Sequence, residues 1–397
     1  MTGPAIRRES YLLVFAMLFV VGPTNILTPL LPEIRDDLHV SILDAGWVVG
    51  SFGLARLAFD LPAGLLIDWF GHRWLTVAAL AVLALSSLVG LNADSLEVLI
   101  AARIGSGLAV ATLLTVILAA LAATAHSANR GRVMSLFPTF QNAATALYPL
   151  VGAGLGVALG WRSTFGLTAV LAAAATFLLV PVVFRIELPR RGGRPVAAPP
   201  DPRVLHGRRR TIAVGTTLAG VVAGMVHRHG FRNTVLPLYA AAALGLGAIP
   251  IAAAVAAMSL AALAATVVGG PLSDRIGRRR VIVAGLAAVG IADLVFLLSG
   301  DLLTFLLGAA LIGACDFAVS SQTALLSEIV PPDLRTRVLS AYRFSGDVGV
   351  FLGPITLAAV MDFANAQAAI ALAAALLLAA SLAARLGIPP GVDRTAG

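Results

Sequence analysis

Twelve apolar runs of roughly 20 residues punctuate the chain, each long enough to cross about 30 Å of hydrocarbon as a helix. They begin near Tyr11, Ile42, Trp74, Val98, Val133 and Ser163, and then near Thr211, Ile249, Val281, Leu302, Val338 and Gln367. Lipid offers no water to a backbone N–H or C=O, so a run of this kind closes its own hydrogen bonds as an α-helix. The pattern predicts an all-α membrane protein. Of the 397 residues, 59% are hydrophobic and 12% charged, more apolar surface than a water-soluble fold hides. The first run, from about Tyr11 to Leu31 behind Arg7 and Arg8, is too long for a signal-peptide core and reads as the first membrane helix.

Six runs fill each half. Between them, a stretch rich in Pro, Gly and Arg carries Arg190, Arg191, Arg194, Arg203, Arg208, Arg209 and Arg210, and reads as a linker. The expected organisation is a six-helix bundle over 1–184, a linker over 185–210 and a second six-helix bundle over 211–397.

All 28 basic residues are Arg, set against 20 acids, for a net charge of +8. Basic chains often bind nucleic acid, but these arginines gather in alternate loops with no stacking aromatics between them, which argues for topology instead. Arg7, Arg8, Arg73, Arg130, Arg132, the linker, Arg275 to Arg280, Arg335, Arg337 and Arg385 mark one face; Glu33, Asp36, Asp37, Asp94, Glu97, Asp301 and Asp362 mark the other. The rule that cationic loops stay in the cytoplasm places both termini and the linker there, in a multi-pass plasma (inner) membrane protein. Arg162 is the exception, at an outer helix end. The single Cys315 excludes a disulfide framework and a cysteine metal site.

The halves repeat. Gly64-Leu65-Leu66-Ile67-Asp68-Trp69-Phe70-Gly71-His72-Arg73 recurs 206 positions later as Gly270-Pro271-Leu272-Ser273-Asp274-Arg275-Ile276-Gly277-Arg278-Arg279. Arg130, Arg132 and Pro149 match Arg335, Arg337 and Pro354 at nearly the same offset, as Gly22, Asn25 and Pro29 match Gly230, Asn233 and Pro237. Two equivalent halves about an axis along the membrane normal leave a cavity between them.

On these residues the chain resembles the major facilitator superfamily over its full length, and within it the bacterial drug/proton antiporter-like exporters. Gly64, Leu66, Asp68, Gly71 and Arg73 resemble that superfamily's signature between helices 2 and 3, and the second copy is fuller. Gly160-Trp161-Arg162 and Arg343-Phe344-Ser345-Gly346-Asp347 are similar to further common features. The resemblance implies twelve helices in two pseudo-symmetric six-helix bundles. It also implies that Gly64, Asp68, Gly71, Arg73, Gly270, Asp274, Gly277 and Arg278 form a conformational latch. Physically, glycine lets backbones meet or turn there, Asp68 can accept from a helix N-terminus, and Arg73 can anchor to lipid phosphate or an acid. Two departures stand out: Trp69 occupies a position usually basic, and Tyr148-Pro149-Leu150-Val151-Gly152 replaces the antiporter Gly-Pro-x-x-Gly.

Ionisable groups at bilayer depth cost about 2.5–3.5 kcal/mol each even on the lenient insertion scale, so each is expected to face a partner or a cavity. Arg56 and Asp60, like Arg343 and Asp347, stand four apart on one helix face, suited either to self-pairing or to transport. Arg103, in Arg103-Ile104-Gly105-Ser106-Gly107, resembles the Arg-x-x-x-Gly signature of proton coupling; structural pairing is the alternative. Arg228 or Arg232 facing Asp316 would make a titratable pair at cavity depth, unless Arg232 snorkels to the headgroups. Asn25 could bond a substrate or satisfy backbone near Pro23. His227 and His229, two apart, do not suit a shared metal.

The expected function is alternating-access export of a small organic solute or drug by a proton-coupled monomer. A proton-coupled importer or facilitator of an anionic metabolite is the alternative. The expected partners are the small-molecule substrate, protons and the lipid bilayer, with no cofactor, metal or nucleic acid. No nucleophile spacing, nucleotide loop or metal cluster supports an enzyme.

Overall fold

The computed structural model describes residues 7–125, 129–188 and 204–393, the side chains of 23, 60–65, 68, 130, 131, 135, 391 and 393 excepted. Arg190, Arg191, Arg194 and Arg203 of the linker, and the side chains of Asp60, Gly64 and Asp68, lie outside the described residues. Among the described residues no strand occurs. The chain divides into two compact units, one of Met1–Gly192 with Gly247–Ala252, the other of Gly193–Leu246 with Ala253–Gly397.

The first unit holds α1 (Arg8–Asn25), a 3-10 turn at Thr28–Leu30, α2 (Leu31–Asp37), α3 (Ile42–Phe70), α4 (His72–Leu91), α5 (Leu96–Thr124), α6 (Arg130–Leu159) and α7 (Ser163–Arg185). Helix α5 packs against α3, α4, α1 and α6, which makes it the centre of the unit. Small residues permit this: a Cβ on Gly107 of α5 would meet the Phe52 carbonyl of α3 at 2.4 Å. Helix starts are capped where the sequence offers a side chain. Ser41 and Asp44 form a reciprocal capping box at α3, and Ser95 caps α5.

The outlying Arg162 has a local explanation. Its Nη1 lies 2.7 Å from Asp37 Oδ2, its Nε donates to the Ala93 carbonyl at 2.7 Å, and its guanidinium covers the Trp161 ring at 4.3 Å. The Trp161 indole donates to the same Asp37 oxygen at 3.1 Å. An arginine bonded in this way is a fastener between helix ends as well as a charge. The hydrogen bond from Arg162, then that from Trp161, holds the Asp37 carboxyl below its ordinary value. A carboxylate depressed in the folded state adds stability that is complete above its unfolded pKa, about 3.9, and is lost as pH falls through the folded value. The pair is part-exposed, so Asp37→Asn is expected to cost only about 0.2–1 kcal/mol near neutral pH. Melting curves should show that deficit vanishing in strongly acidic buffer.

The second unit holds α8 (Gly207–Met225), a π-helix (Val226–Val235), α9 (Leu236–Leu244), α10 (Ala248–Ile276) from Ala253 onward, α11 (Arg278–Phe296), α12 (Leu302–Cys315), α13 (Val319–Ile329), α14 (Pro332–Phe363) and α15 (Ala366–Gly387). Helix α14 lies along α8 and the π-helix, and α15 packs against α11 and α8. The approach of α14 is backbone to backbone, since a Cβ on Gly353 would meet the Val226 Cα at 2.7 Å. Phe231, Phe296 and Phe305 form an aromatic core with centroid separations of 5.4 and 5.6 Å.

Nine helical stretches among the described residues are long and apolar enough to cross a membrane. The runs expected near Tyr11, Thr211 and Val281 are not among them, for visible reasons. Helix α1 spends its 18 residues partly on Arg8, Glu9 and a polar end, the run from Thr211 is divided by the π-helix, and α11 carries three arginines and Asp293. The run from Leu302 is long enough but discontinuous, because helix geometry lapses at Asp316 to Ala318.

Candidate functional site

Two irregularities face each other in the second unit. One is the π-helix, Val226–Val235, in a stretch that periodicity alone reads as α-helix. Its i→i+5 bonding widens the turn and brings adjacent residues to bear on different neighbours. The other is the break between α12 and α13, where Asp316 sits at the C-terminal end of α12 with φ −82° and ψ 52°. Backbone freed from a helix at membrane depth persists only where protein or water satisfies it, which is why broken helices line binding sites.

Arg228 on the π-helix donates to Asp316 at the break, and both side chains are about a quarter exposed, at 25% and 24%. One residue earlier, His227 Nε2 lies 2.9 Å from Asp293 Oδ1 of α11, with the aspartate fully buried at 0% exposure. The imidazole stacks on Phe231 with ring centroids 5.1 Å apart, which fixes its plane. The second carboxylate oxygen, Asp293 Oδ2, is buried and has no hydrogen-bond partner among the described residues. A cavity of about 30 Å³ lies between these groups, lined by Gly220, Gly224, His227, Arg228, Asp316 and Gln322. That volume admits a water or two and no organic solute, so this cavity is closed to cargo in this conformation.

The other sequence candidates fall as follows. Arg232 is buried, with Nε donating to Asn233 Oδ1 at 3.4 Å, and does not reach toward an exposed helix end. Asp347 is buried on α14 whereas Arg343, four residues earlier, is exposed, so the two do not share one environment. In the first unit Arg103 is buried in α5, donates to the Val48 carbonyl at 3.1 Å and lies over the Phe52 ring at 4.7 Å. Arg56 is half-buried on α3, and Asn25 is buried at the end of α1.

The duplicated loop motif turns on its second glycine in both copies, Gly71 at φ +74° and Gly277 at φ +102°, a region that disfavours side chains. A Cβ on Gly270 would meet nothing within 4 Å. Arg73 lies over the Phe184 ring at 5.8 Å. In the second copy, Arg278 pairs with Asp274 at 2.6 Å and Glu328 at 3.2 Å, and also donates to Ser273. One guanidinium thus ties the α10–α11 turn to the end of α13.

The His227–Asp293 pair escapes sequence reasoning, which weighs His227 only as a metal ligand. The available signal is Asp293 itself, a lone acid inside the apolar run of α11 that needs a cationic or donor partner.

A multi-pass helical protein with opposed, part-buried ions at a helix break, beside a small cavity, has the makings of a membrane transporter. The sequence matches the Major Facilitator Superfamily over residues 13–228 and 228–396, and the chain belongs to that family. It is similar to a chloramphenicol resistance protein of Streptomyces lividans, at 29% identity over 94% of both chains. It is also similar to the cephamycin export protein CmcT of Amycolatopsis lactamdurans, at 32% identity over 56% of this chain and 44% of that one. Among solved structures, a peptide transporter POT in complex with sulfate shares the fold, with a TM-score of 0.80, 15% identity and coverage of 98% and 95%. So does an inward-facing bacterial homologue of the human lysosomal transporter Spinster, with a TM-score of 0.76, 13% identity and 98% of both chains covered.

Proposed function

We propose that this transporter exports a small organic solute across the plasma membrane in exchange for protons, by alternating access. The observation that carries the reading is the Arg228–Asp316 pair at the break between α12 and α13. While Asp316 is ionised it occupies the Arg228 guanidinium. A cationic or hydrogen-bond-donating group of the cargo can take the ionised carboxylate in place of Arg228, and a proton on the carboxyl removes the charge that holds it, so proton and cargo compete for Asp316. His227–Asp293, adjoining the same cavity, is a second titratable pair through which the proton can pass.

The direction rests on the relatives, a chloramphenicol resistance protein and a cephamycin export protein. In this reading the chain is a monomer of twelve spans in two bundles of six, with both termini in the cytoplasm. The remaining three spans are α1, the run from Gly207 to Leu244, and α11. The loop motifs act as latches: Arg278 alternates between the tie to Glu328 and release, and Asp68 and Gly64 serve the first copy.

Everted membrane vesicles loaded by respiration test the function. Radiolabelled chloramphenicol, with a panel of other antibiotics, should accumulate inside them when the interior is acid, and a protonophore should abolish the accumulation. Uptake of organic anions driven toward the opposite face would favour the importer instead, and transport indifferent to pH would favour a facilitator.

A further inference from the structure

The cavity of about 30 Å³ beside the ion pairs holds more polar chemistry than the two pairs consume. Gln322, on the first turn of α13 just past the break, lines it at 4% exposure, and its side-chain amide has no hydrogen-bond partner among the described residues. Its room is left by glycine: a Cβ on Gly220 of α8 would stand 3.1 Å from Gln322 Nε2. His227 is buried and spends Nε2 on Asp293, and its Nδ1 has no partner among the described residues. Asp316 receives Arg228 on Oδ2, and its Oδ1 accepts nothing from them. The π-helix, the break and α13 thus bring an imidazole, a carboxylate and an amide to one small cavity, which α8, α11 and α15 line with apolar side chains and glycine. Buried polar atoms without partners are costly, and a cavity is filled by water where it offers about two to four polar partners and at least about 10–15 Å³.

We propose that this cavity binds ordered water, held by Gln322, and that the water passes the coupling proton between His227 and Asp316. A water there accepts from the Gln322 amide N–H and from Nδ1–H of a protonated His227, and donates to Asp316 Oδ1. In the transfer the His227 Nδ1–H bond breaks as the water oxygen gains that proton, and an O–H bond of the water breaks as Asp316 Oδ1 gains the other. What remains is a neutral imidazole that still donates Nε2–H to Asp293, a neutral carboxyl at Asp316 and an intact water. A metal cation does not suit the cavity, because the Arg228 guanidinium lines it. Gln322 carries no proton itself and is a positioning residue. The relay rests on the proton-coupled reading of Arg228–Asp316, whereas the water site stands without it.

Gly224→Ala and Gln322→Leu test both parts. Gly224 lines the cavity and a Cβ there meets nothing within 4 Å, so the added methyl takes the water's space without a clash, in a helix that Ala suits better than Gly. High-resolution cryo-microscopy of the wild-type chain should show water within about 2.7–3.2 Å of the Gln322 amide and of His227 Nδ1, and Gly224→Ala should lack it. In everted vesicles, chloramphenicol uptake driven by a pH gradient should fall at least about tenfold in both variants, with the melting temperature of Gly224→Ala no lower than that of the wild type. Exchange of labelled for unlabelled chloramphenicol at equal concentrations, which needs no net proton transfer, should keep the wild-type rate. A dry cavity in the wild type, a metal cation in place of the water, or pH-driven uptake undiminished in the two variants would each overturn the proposal. Uptake and exchange that fell together would show a structural effect and overturn the relay. A wild type with no pH-driven antibiotic uptake would defeat the exporter reading instead, and the density alone would then decide the water site.

Discussion

Asp316→Asn is expected to lower pH-driven export by about ten- to hundredfold while leaving the protein inserted and folded. The magnitude follows from what the carboxylate does for Arg228. A hydrogen bond to a charged group contributes about 1.5–3 kcal/mol, and each 1.4 kcal/mol is a factor of ten in an equilibrium. Full burial would raise the cost of orphaning the arginine to about 3–5 kcal/mol, but both side chains keep about a quarter of their surface exposed, at 25% and 24%, so the lower range applies. Arg228→Gln should lose transport to a similar extent. The informative variant is the double one. With no charge left to orphan, Arg228→Gln/Asp316→Asn should recover most of the thermal stability that either single variant loses. If the pair were only a structural clasp, transport would recover with stability. If it couples proton to cargo, the double variant stays folded and its residual transport no longer responds to pH. Drug susceptibility, vesicle transport and melting temperature together separate these outcomes.

Gly353→Val is expected to leave little folded protein. The π-helix that presents His227 and Arg228 is held by α14, and the contact has no room for a side chain. A Cβ on Gly353 would fall 2.7 Å from the Val226 Cα and 2.9 Å from its carbonyl oxygen, both backbone atoms that have no rotamer to yield. Even Gly353→Ala should cost about 1–3 kcal/mol by overpacking, and the branched Val more. The damage should also reach function, because the displaced element is the one that carries the ion pair. Yield of monodisperse protein by fluorescence-detected size exclusion and the melting temperature of the Ala variant measure both parts. A Gly353→Val protein of normal yield and stability would mean that α14 and the π-helix do not meet as closely as 2.7 Å implies.

Hydropathy and charge made the helical class and the membrane setting legible, because run length and loop arginines respond to the bilayer rather than to the details of packing. The repeat made the loop motif legible twice, and Gly71 and Gly277 do take the positive φ that a motif glycine allows. The pairing of an arginine after Gly224 with Asp316 was readable from the cost of burying charge, yet the choice between Arg228 and Arg232 was not. That choice depends on the π-helix, and a π-helix arises where tertiary contact, here the backbone of α14 at Gly353, compensates for poorer local bonding. The break at Asp316 was hidden for a related reason. The run from Leu302 to Ile329 has no proline to announce it, and hydropathy measures length without continuity. His227 with Asp293 was hidden because partners 66 residues apart on different helices leave no spacing signal. Arg343 is exposed where its periodicity allowed burial, because spacing along one helix does not say which face the neighbouring helices cover.

Proteoliposomes containing the wild-type chain and a pH-sensitive dye in the lumen offer the most direct test of proton-coupled export through the Arg228–Asp316 site. With no pH gradient imposed, a chloramphenicol gradient directed through the transporter should drive protons the opposite way, and Asp316→Asn liposomes should show cargo movement without that proton signal. Proton flux of equal size in the wild type and in Asp316→Asn, or cargo flux in the wild type with no proton movement at all, would contradict the account.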